Sequence, residues 1–307
     1  AVREDGKIIS ALQMISYPMT FCGETIATSY VSGACTHPDY RSHGAMRRLL
    51  RLTHRRMYDD GILLSTLIPA EKWLFGYYAK SGYTPRFGYV MERVNVEKLI
   101  PSGSYRVEEE DEASAELYQY FDNRMRERAC CMLHSYEDFL VIMADLRLGG
   151  GKVLVARRAD RMAGMAFVVK DAVSLYIKEL LADGIPGQTG FEAVKDTLLS
   201  AAATLYPGAV IEYIHPSSGD SSTLGMARLI HVEKMLSILA RKHPVLSLSI
   251  QIEDDDAIPE NNGYYIVENG NCYREYREGR EYHLYTIESL TAKSFETEHP
   301  YMSLMLN

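Results

Sequence analysis

No CxxC pair occurs among the five cysteines, Cys22, Cys35, Cys130, Cys131 and Cys272. Their number is odd and their spacing irregular, so neither a zinc site nor a redox pair is indicated, and no metal is expected. Free, mostly buried thiols in a reducing, cytoplasmic compartment are the simplest reading. No apolar run approaches the ~18 residues of a membrane helix, which excludes a helical span. The N-terminus has no signal-peptide pattern. Positive charge is not in excess: 33 Lys and Arg stand against 41 Asp and Glu, a formal charge of -8. A whole-chain nucleic-acid binder is more often basic. Neither nucleic acid nor membrane is therefore expected as a partner, and the net negative field would instead attract cationic small molecules, weakly and at long range.

What is present is ordinary for a globular protein. The chain has 307 residues, 47% hydrophobic and 24% charged, enough apolar material to bury sizeable cores and to exclude wholesale disorder. At roughly 100–200 residues per domain this length holds two domains or three small ones.

The first stretch reads as strands, 7–17 and 23–31, with Pro18 and Gly23 bracketing a turn. A short apolar piece, 32–36, runs into the polar loop HPDYRSHG. A helix is predicted over 43–58, because Met46, Leu49, Leu50, Thr53 and Met57 recur at helical spacing. A strand at 61–68 follows, then a helix at 71–81 closed by Gly82 in a left-handed cap, then a strand at 88–96. Pro101-Ser102-Gly103-Ser104 reads as a linker. Beyond it the pattern restarts: a strand at 105–109, helices at 111–128 and 136–147, strands at 152–158, 162–170 and 172–181, a helix at 188–205 and a strand at 209–215. Strands followed by a helix and a further strand thus occur in both halves, a repeat at the level of fold rather than of residues. The remainder reads as a small α+β unit: a helix at 231–241, an alternating strand at 245–253, a hairpin across Asn269-Gly270, and a closing piece at 286–294.

The most informative segment is ACTHPDYRSHGAM, residues 34–46. An apolar strand leads through a loop with Arg41 and Gly44 into a helix. Backbone amides at a helix start suit a pyrophosphate, Arg41 would add a charge-assisted contact, and Gly44 would allow close approach of the backbone. Composition alone favours an ordinary strand–loop–helix connection with a solvated Arg, because one Gly is weak evidence.

The run Arg41-Ser42-His43-Gly44-Ala45-Met46 resembles the acetyl-CoA signature Q/R-x-x-G-x-G/A of the GNAT superfamily of N-acetyltransferases, with Met46 departing at the sixth position. The run Tyr77-Tyr78-Ala79-Lys80-Ser81-Gly82-Tyr83 is similar to the family's L-Y-x-x-x-G-F landmark. MARLIHVEKML followed by LSLSIQIEDDDAIPENNGYYIVENG looks like the sterol-carrier-protein-like tail of the Eis-type members. The resemblance implies an α+β fold of tandem GNAT-like domains, each a central mixed sheet flanked by helices, plus a sterol-carrier-like α+β domain. The domains would be 1–101, a degenerate copy at 104–225, and 226–307. In the copy the loop reads Ile185-Pro186-Gly187-Gln188-Thr189-Gly190, without the Arg-x-x-Gly pattern, so no CoA is expected there. The family's first domain begins with a strand and two helices ahead of the strand at Lys7; either these lie upstream of the sequence that opens at Ala1, as the missing initiator Met favours, or the acceptor site is reduced.

The activity implied is acetyl transfer from acetyl-CoA, as co-substrate, to a primary amine of a small cationic molecule. Ala34, Cys35 and Thr36 would pair with the pantetheine arm, and a strand amide beside them would stabilise the oxyanion. Arg41, Ser42, His43, Gly44, Ala45 and Met46 would hold the pyrophosphate. Tyr78 would protonate the departing thiolate. The terminal carboxylate of Asn307, carried by the apolar ending PYMSLMLN, would serve as base or amine orienter. Self-association into a homo-oligomer is also implied. The alternative is a non-catalytic CoA- or hydrophobic-ligand-binding protein derived from an acetyltransferase. His37, His43 and His54 lack metal-ligand spacing and read as loop or surface histidines. Asp254-Asp255-Asp256 reads as a solvated turn. The Arg-rich face of the 47–56 helix reads as solvated or as assisting CoA's phosphates, and 108–112 as the acidic start of a helix.

Overall fold

A computed structural model of the chain describes residues 1–216 and 221–305. The described chain forms two compact units, one of residues 1–87 and 223–300, the other of 88–216, 221–222 and 301–305. No helix among the described residues is long and apolar enough to cross a membrane.

In the first unit β1 (Val2–Glu4), β2 (Lys7–Phe21) and β3 (Glu24–Thr36) form an antiparallel meander. The β2–β3 turn is Cys22-Gly23, both with positive φ (54° and 81°), the geometry whose twist matches a hairpin. The expected break at Pro18 does not occur. Pro18 lies within β2 opposite Ala27, while β1 covers only the start of β2, around 7–10. Its missing N–H therefore faces an edge and costs no ladder bond.

Helix α1 (Ala45–Asp59) buries Met46, Leu49, Leu50, Thr53, His54 and Met57, the apolar stripe of a surface helix. It ends at Gly61, whose φ of 76° a β-carbon would resist. Strand β4 (Leu64–Leu67) then pairs parallel to β3, and α2 (Lys72–Ala79) follows. Strand β5 (Thr84–Arg93) begins in the first unit, and from Gly88 it belongs to the second.

The second unit continues with β6 (Arg106–Glu110), α3 (Ala115–Arg126), α4 (Tyr136–Leu148), β7 (Lys152–Arg158), β8 (Arg161–Lys170), β9 (Ser174–Ala182), α5 (Thr189–Leu205) and β10 (Val210–His215). Ser114 caps α3, and a Ser135/Asp138 capping box starts α4. The strand order is β5-β10-β9-β8-β7-β6. Only β9 and β10, joined through α5, run parallel; the other pairs are antiparallel.

Strand β11 (Ser222–Leu229) returns to the first unit and pairs antiparallel with β4, giving the order β1-β2-β3-β4-β11 there. The sequence reading gives these residues no element of their own, so this strand is a finding of the structure. The two sheets share one plan: an antiparallel meander, a helix, a parallel strand, and a final antiparallel strand. In each unit that final strand comes from the neighbouring stretch of chain. Strand β5 follows β4 in sequence but pairs with β10, whereas β11 follows β10 but pairs with β4.

The rest of the first unit is α6 (Val232–Lys242), β12 (Leu248–Ile252), β13 (Gly263–Glu268), β14 (Asn271–Tyr273), β15 (His283–Tyr285) and α7 (Ile287–Ser294). Its four strands lie in the order β14-β13-β12-β15, with β12 and β15 parallel. The whole is mixed α+β, as expected.

Candidate active site

Strand β3 outruns its parallel partner. Thr28, Ser29 and Tyr30 pair with Leu64, Ser65 and Thr66, and β4 ends at Leu67. Among the described residues no strand pairs with that edge of β3 beyond Tyr30. The register also shifts there, with Gln13 opposite Ser32 but Ala11 opposite Cys35. Gly33, at φ 58°, absorbs the irregularity. Such bulges re-aim a strand and recur beside functional sites. The edge of β3 at Ala34, Cys35 and Thr36, which no strand among the described residues pairs there, is the kind of edge that an extended amide chain can join. On the other side Ser10 fixes the strand end, its hydroxyl donating to the Cys35 carbonyl at 3.1 Å.

The loop closes on α1. Arg41, Ser42, His43 and Gly44 are all exposed. Ser42 and Gly44 both take left-handed conformations, at φ 65° and 78°, a pattern that turns successive amides toward one point. Gly44 is the N-cap of α1 and no side chain caps the helix. Its first amides are thus without intrahelical partners, at the positive end of the dipole. Arg41 Nε donates to the Thr36 carbonyl at 3.3 Å, and the guanidinium has no ion-pair partner among the described residues. Ala45 and Met46 open the helix. Met46 sends its side chain into the core with Leu49, Leu50 and Tyr78, which explains a large residue where a small one was expected: only its amide faces the loop end.

Arginines on α1 divide by position. Arg55 and Arg56 pair with Asp59 and Asp60 at 2.7 and 2.8 Å, and Arg55 also pairs with Glu260. Arg47, Arg48 and Arg51 are exposed and have no such partners among the described residues. Free positive charge therefore gathers toward the loop. This was readable in the sequence, since the first three have no acid four residues on and the last two do.

Tyr78 is buried on α2, its ring edge-on to Tyr77 and Tyr83 at 5.4 and 6.0 Å. It shares one apolar cluster with Val31 and Met46, against which Ala34 packs. The tyrosine, the strand edge and the helix start thus meet. Burial, and next the neighbouring Tyr77, raise its pKa above the ordinary 10.0, so the phenol keeps its proton at neutral pH. Beneath it, Tyr83 shares hydrogen bonds with His54 at 3.0 Å and Ser65 at 2.7 Å. His54 is buried, not a surface histidine: its place on the apolar stripe of α1 decides its environment. Asp255 corrects the reading of 254–256 as a solvated turn. It is buried against Arg228 at 2.6 Å. Of the five cysteines, only Cys130 and Cys131 are buried.

The corresponding loop of the second unit is built differently. The Gly187 amide donates to the Glu192 carboxylate at 3.0 Å, in the first turn of α5, so an internal anion stands at that helix start.

The chain's ending is anchored. Tyr301 pairs with Cys131 as a parallel bridge, its amide donating to the Cys130 carbonyl at 3.0 Å. Tyr301, Met302 and Ser303 are buried. The Ser303 hydroxyl donates to Glu179 at 2.5 Å and its carbonyl meets His134 Nε2 at 3.0 Å. Arg128 grips the same Glu179 through two bonds, 2.7 and 2.9 Å. Asn307, expected to supply the terminal carboxylate, lies outside the described residues.

An uncapped, arginine-flanked helix start thus lies beside a strand edge that no strand pairs among the described residues. Residues 1–86 match the family model of an acetyltransferase (GNAT) domain. No curated protein matches the chain in sequence. Among solved structures, it is similar to a GCN5-related N-acetyltransferase from Anabaena variabilis ATCC 29413, at 15% identity and TM-score 0.77, over 97% of this chain and 87% of that one. A GCN5-related N-acetyltransferase from Kribbella flavida aligns at 15% identity and TM-score 0.75, over 99% and 85%. Eis1 from Mycobacterium abscessus aligns at 15% identity and TM-score 0.70, over 94% and 77%. The first part of the chain thus carries a GNAT acetyltransferase domain, and the whole has the fold of these proteins.

Proposed function

We propose that the protein is an N-acetyltransferase that moves the acetyl group of acetyl-CoA to a primary amine of a small cationic molecule. The observation that carries this reading is the meeting of the unpaired β3 edge, the uncapped start of α1 and the buried Tyr78. Ala34, Cys35 and Thr36 would bind the pantetheine amides. The amides of Ser42 to Met46, with Arg41, would hold the pyrophosphate, and Arg47, Arg48 and Arg51 supply further positive charge for the outer phosphate. A neutral amine attacks the thioester carbonyl, a β3 amide takes up the developing oxyanion charge, and Tyr78 gives its proton to the leaving sulfur. A phenol whose pKa lies above its ordinary value remains a donor throughout the neutral range.

The carboxylate of Asn307 is assigned the role of amine base or orienter, in keeping with the burial of Tyr301 and Met302 just before it. Three modules, 1–101, 104–225 and 226–307, would derive from an acetyltransferase, a degenerate copy and a sterol-carrier-like tail. Glu192 at the second helix start supports a copy that binds no CoA. Self-association follows the resemblance and is read by native mass determination.

The test is amine-dependent release of CoA thiol by the wild type, by Tyr78→Phe and by a chain ending at Met305. Both changes are expected to lower kcat, Tyr78→Phe by about 10²–10⁴-fold, while acetyl-CoA still binds. Full turnover in Tyr78→Phe would remove the acid assigned here. Binding of acetyl-CoA without turnover of any amine in the wild type would favour the non-catalytic binder.

A further inference from the structure

We propose a metal site, suited to zinc, formed by Cys22, His243 and Glu298. Cys22 opens the turn between β2 and β3, His243 ends α6, and Glu298 lies beyond α7. The Cys22 Sγ, a ring nitrogen of His243 and a carboxylate oxygen of Glu298 lie within 4.8 Å of one another. All three residues are half-buried, so an ion could enter from solvent and still shed part of its hydration. No hydrogen bond or ion pair among the described residues uses these three ligand groups.

The segments are held together without them. Glu24, two residues past Cys22, accepts a hydrogen bond from Arg241, two before His243, at 2.7 Å. The rings of Phe21 and Phe295 pack edge to face at 5.1 Å, and both are buried. The Glu298 amide then donates to the Phe295 carbonyl at 3.3 Å, and the His243 amide to Leu239 at 2.9 Å. The backbone thus brings the three groups together before any ion binds.

The donor set selects the metal. Thiolate, imidazole and carboxylate together suit zinc, whereas magnesium and calcium take oxygen ligands. Three protein ligands leave one tetrahedral position for water. Binding displaces the thiol proton to solvent as the Zn–S bond forms. The ion would join the β2–β3 hairpin to α6 and to the segment after α7, stabilising the first unit by mass action. Sequence spacing could not show this site, because its ligands are scattered along the chain.

The test is titration of the chelator-treated full chain with zinc by calorimetry and with cobalt(II) by absorption, beside Cys22→Ser and His243→Ala. One ion per chain is expected, with a thiolate-to-cobalt charge-transfer band and a zinc-dependent rise in Tm. In both variants the affinity should fall by more than the roughly 10–100-fold that loss of an outer-shell partner costs. The band should vanish in Cys22→Ser. Absence of saturable binding by the wild type overturns the proposal. So does binding that shows no charge-transfer band, or that survives His243→Ala, a variant that decides the matter even if Cys22→Ser does not fold.

Discussion

Enclosure of the His54 imidazole, and after it the charge of Arg228, hold its pKa well below the ordinary 6.5. The folded protein therefore keeps this ring neutral, hydrogen-bonded to the Tyr83 hydroxyl. The unfolded chain accepts a proton near pH 6.5, so below that pH it binds a proton the folded state refuses. Stability from this group is fully present above about pH 6.5 and is lost as pH falls, at up to about 1.4 kcal/mol per pH unit. Urea unfolding between pH 5 and 7.5 should show a shallower acid loss in His54→Gln than in the wild type. Equal slopes would mean that His54 does not carry the effect. The sequence gives His54 a helical position but not a pKa. Three residues earlier on the same helix, Arg51 is exposed and without an ion-pair partner among the described residues, and only the rotation of α1 against its sheet separates the two fates.

Helix α1 was legible because its apolar positions repeat every three or four residues. The loop before it was legible because Arg41 and Gly44 stand at a spacing with a chemical use. Gly44 takes φ 78° with open space around its α-carbon, so a methyl group there meets no neighbour and strains only the backbone. Gly44→Ala should cost about 1–2 kcal/mol and distort the loop, weakening acetyl-CoA binding more than its loss of stability alone would. A variant with unchanged affinity would place the phosphate elsewhere. The bulge at Gly33 was not legible, because a register shift depends on the partner strand. Nor was the passage of β2 through Pro18, which requires knowing that β1 stops short and leaves an edge. The burial of Asp255 depends likewise on Arg228, 27 residues away in sequence.

At the scale of the molecule, the repeated plan was visible as a repeated order of elements, but the exchange of final strands was not. Periodicity marks β5 as a strand and passes over β11, and it does not say which sheet receives either. The anchoring of the chain's ending was legible only as apolar composition. Its polar heart, Glu179 with Arg128 and Ser303, joins residues far apart in sequence. Burial works against the charge of Arg128, and the attraction and hydrogen bonds of Glu179 outweigh it. Glu179→Gln leaves that guanidinium without its counter-charge and should destabilise the protein by about 3 kcal/mol, with earlier proteolysis of the ending. A loss under about 1 kcal/mol would show the pair to be dispensable. The central claim is that the β3 edge and the start of α1 form a CoA site, and calorimetric titration of acetyl-CoA into the full chain, beside Arg41→Ala, tests it most directly. The account predicts saturable binding at one site per chain, weakened about 10-fold or more in the variant, as for loss of a charged hydrogen bond. Absence of binding, or equal affinity in Arg41→Ala, would contradict it.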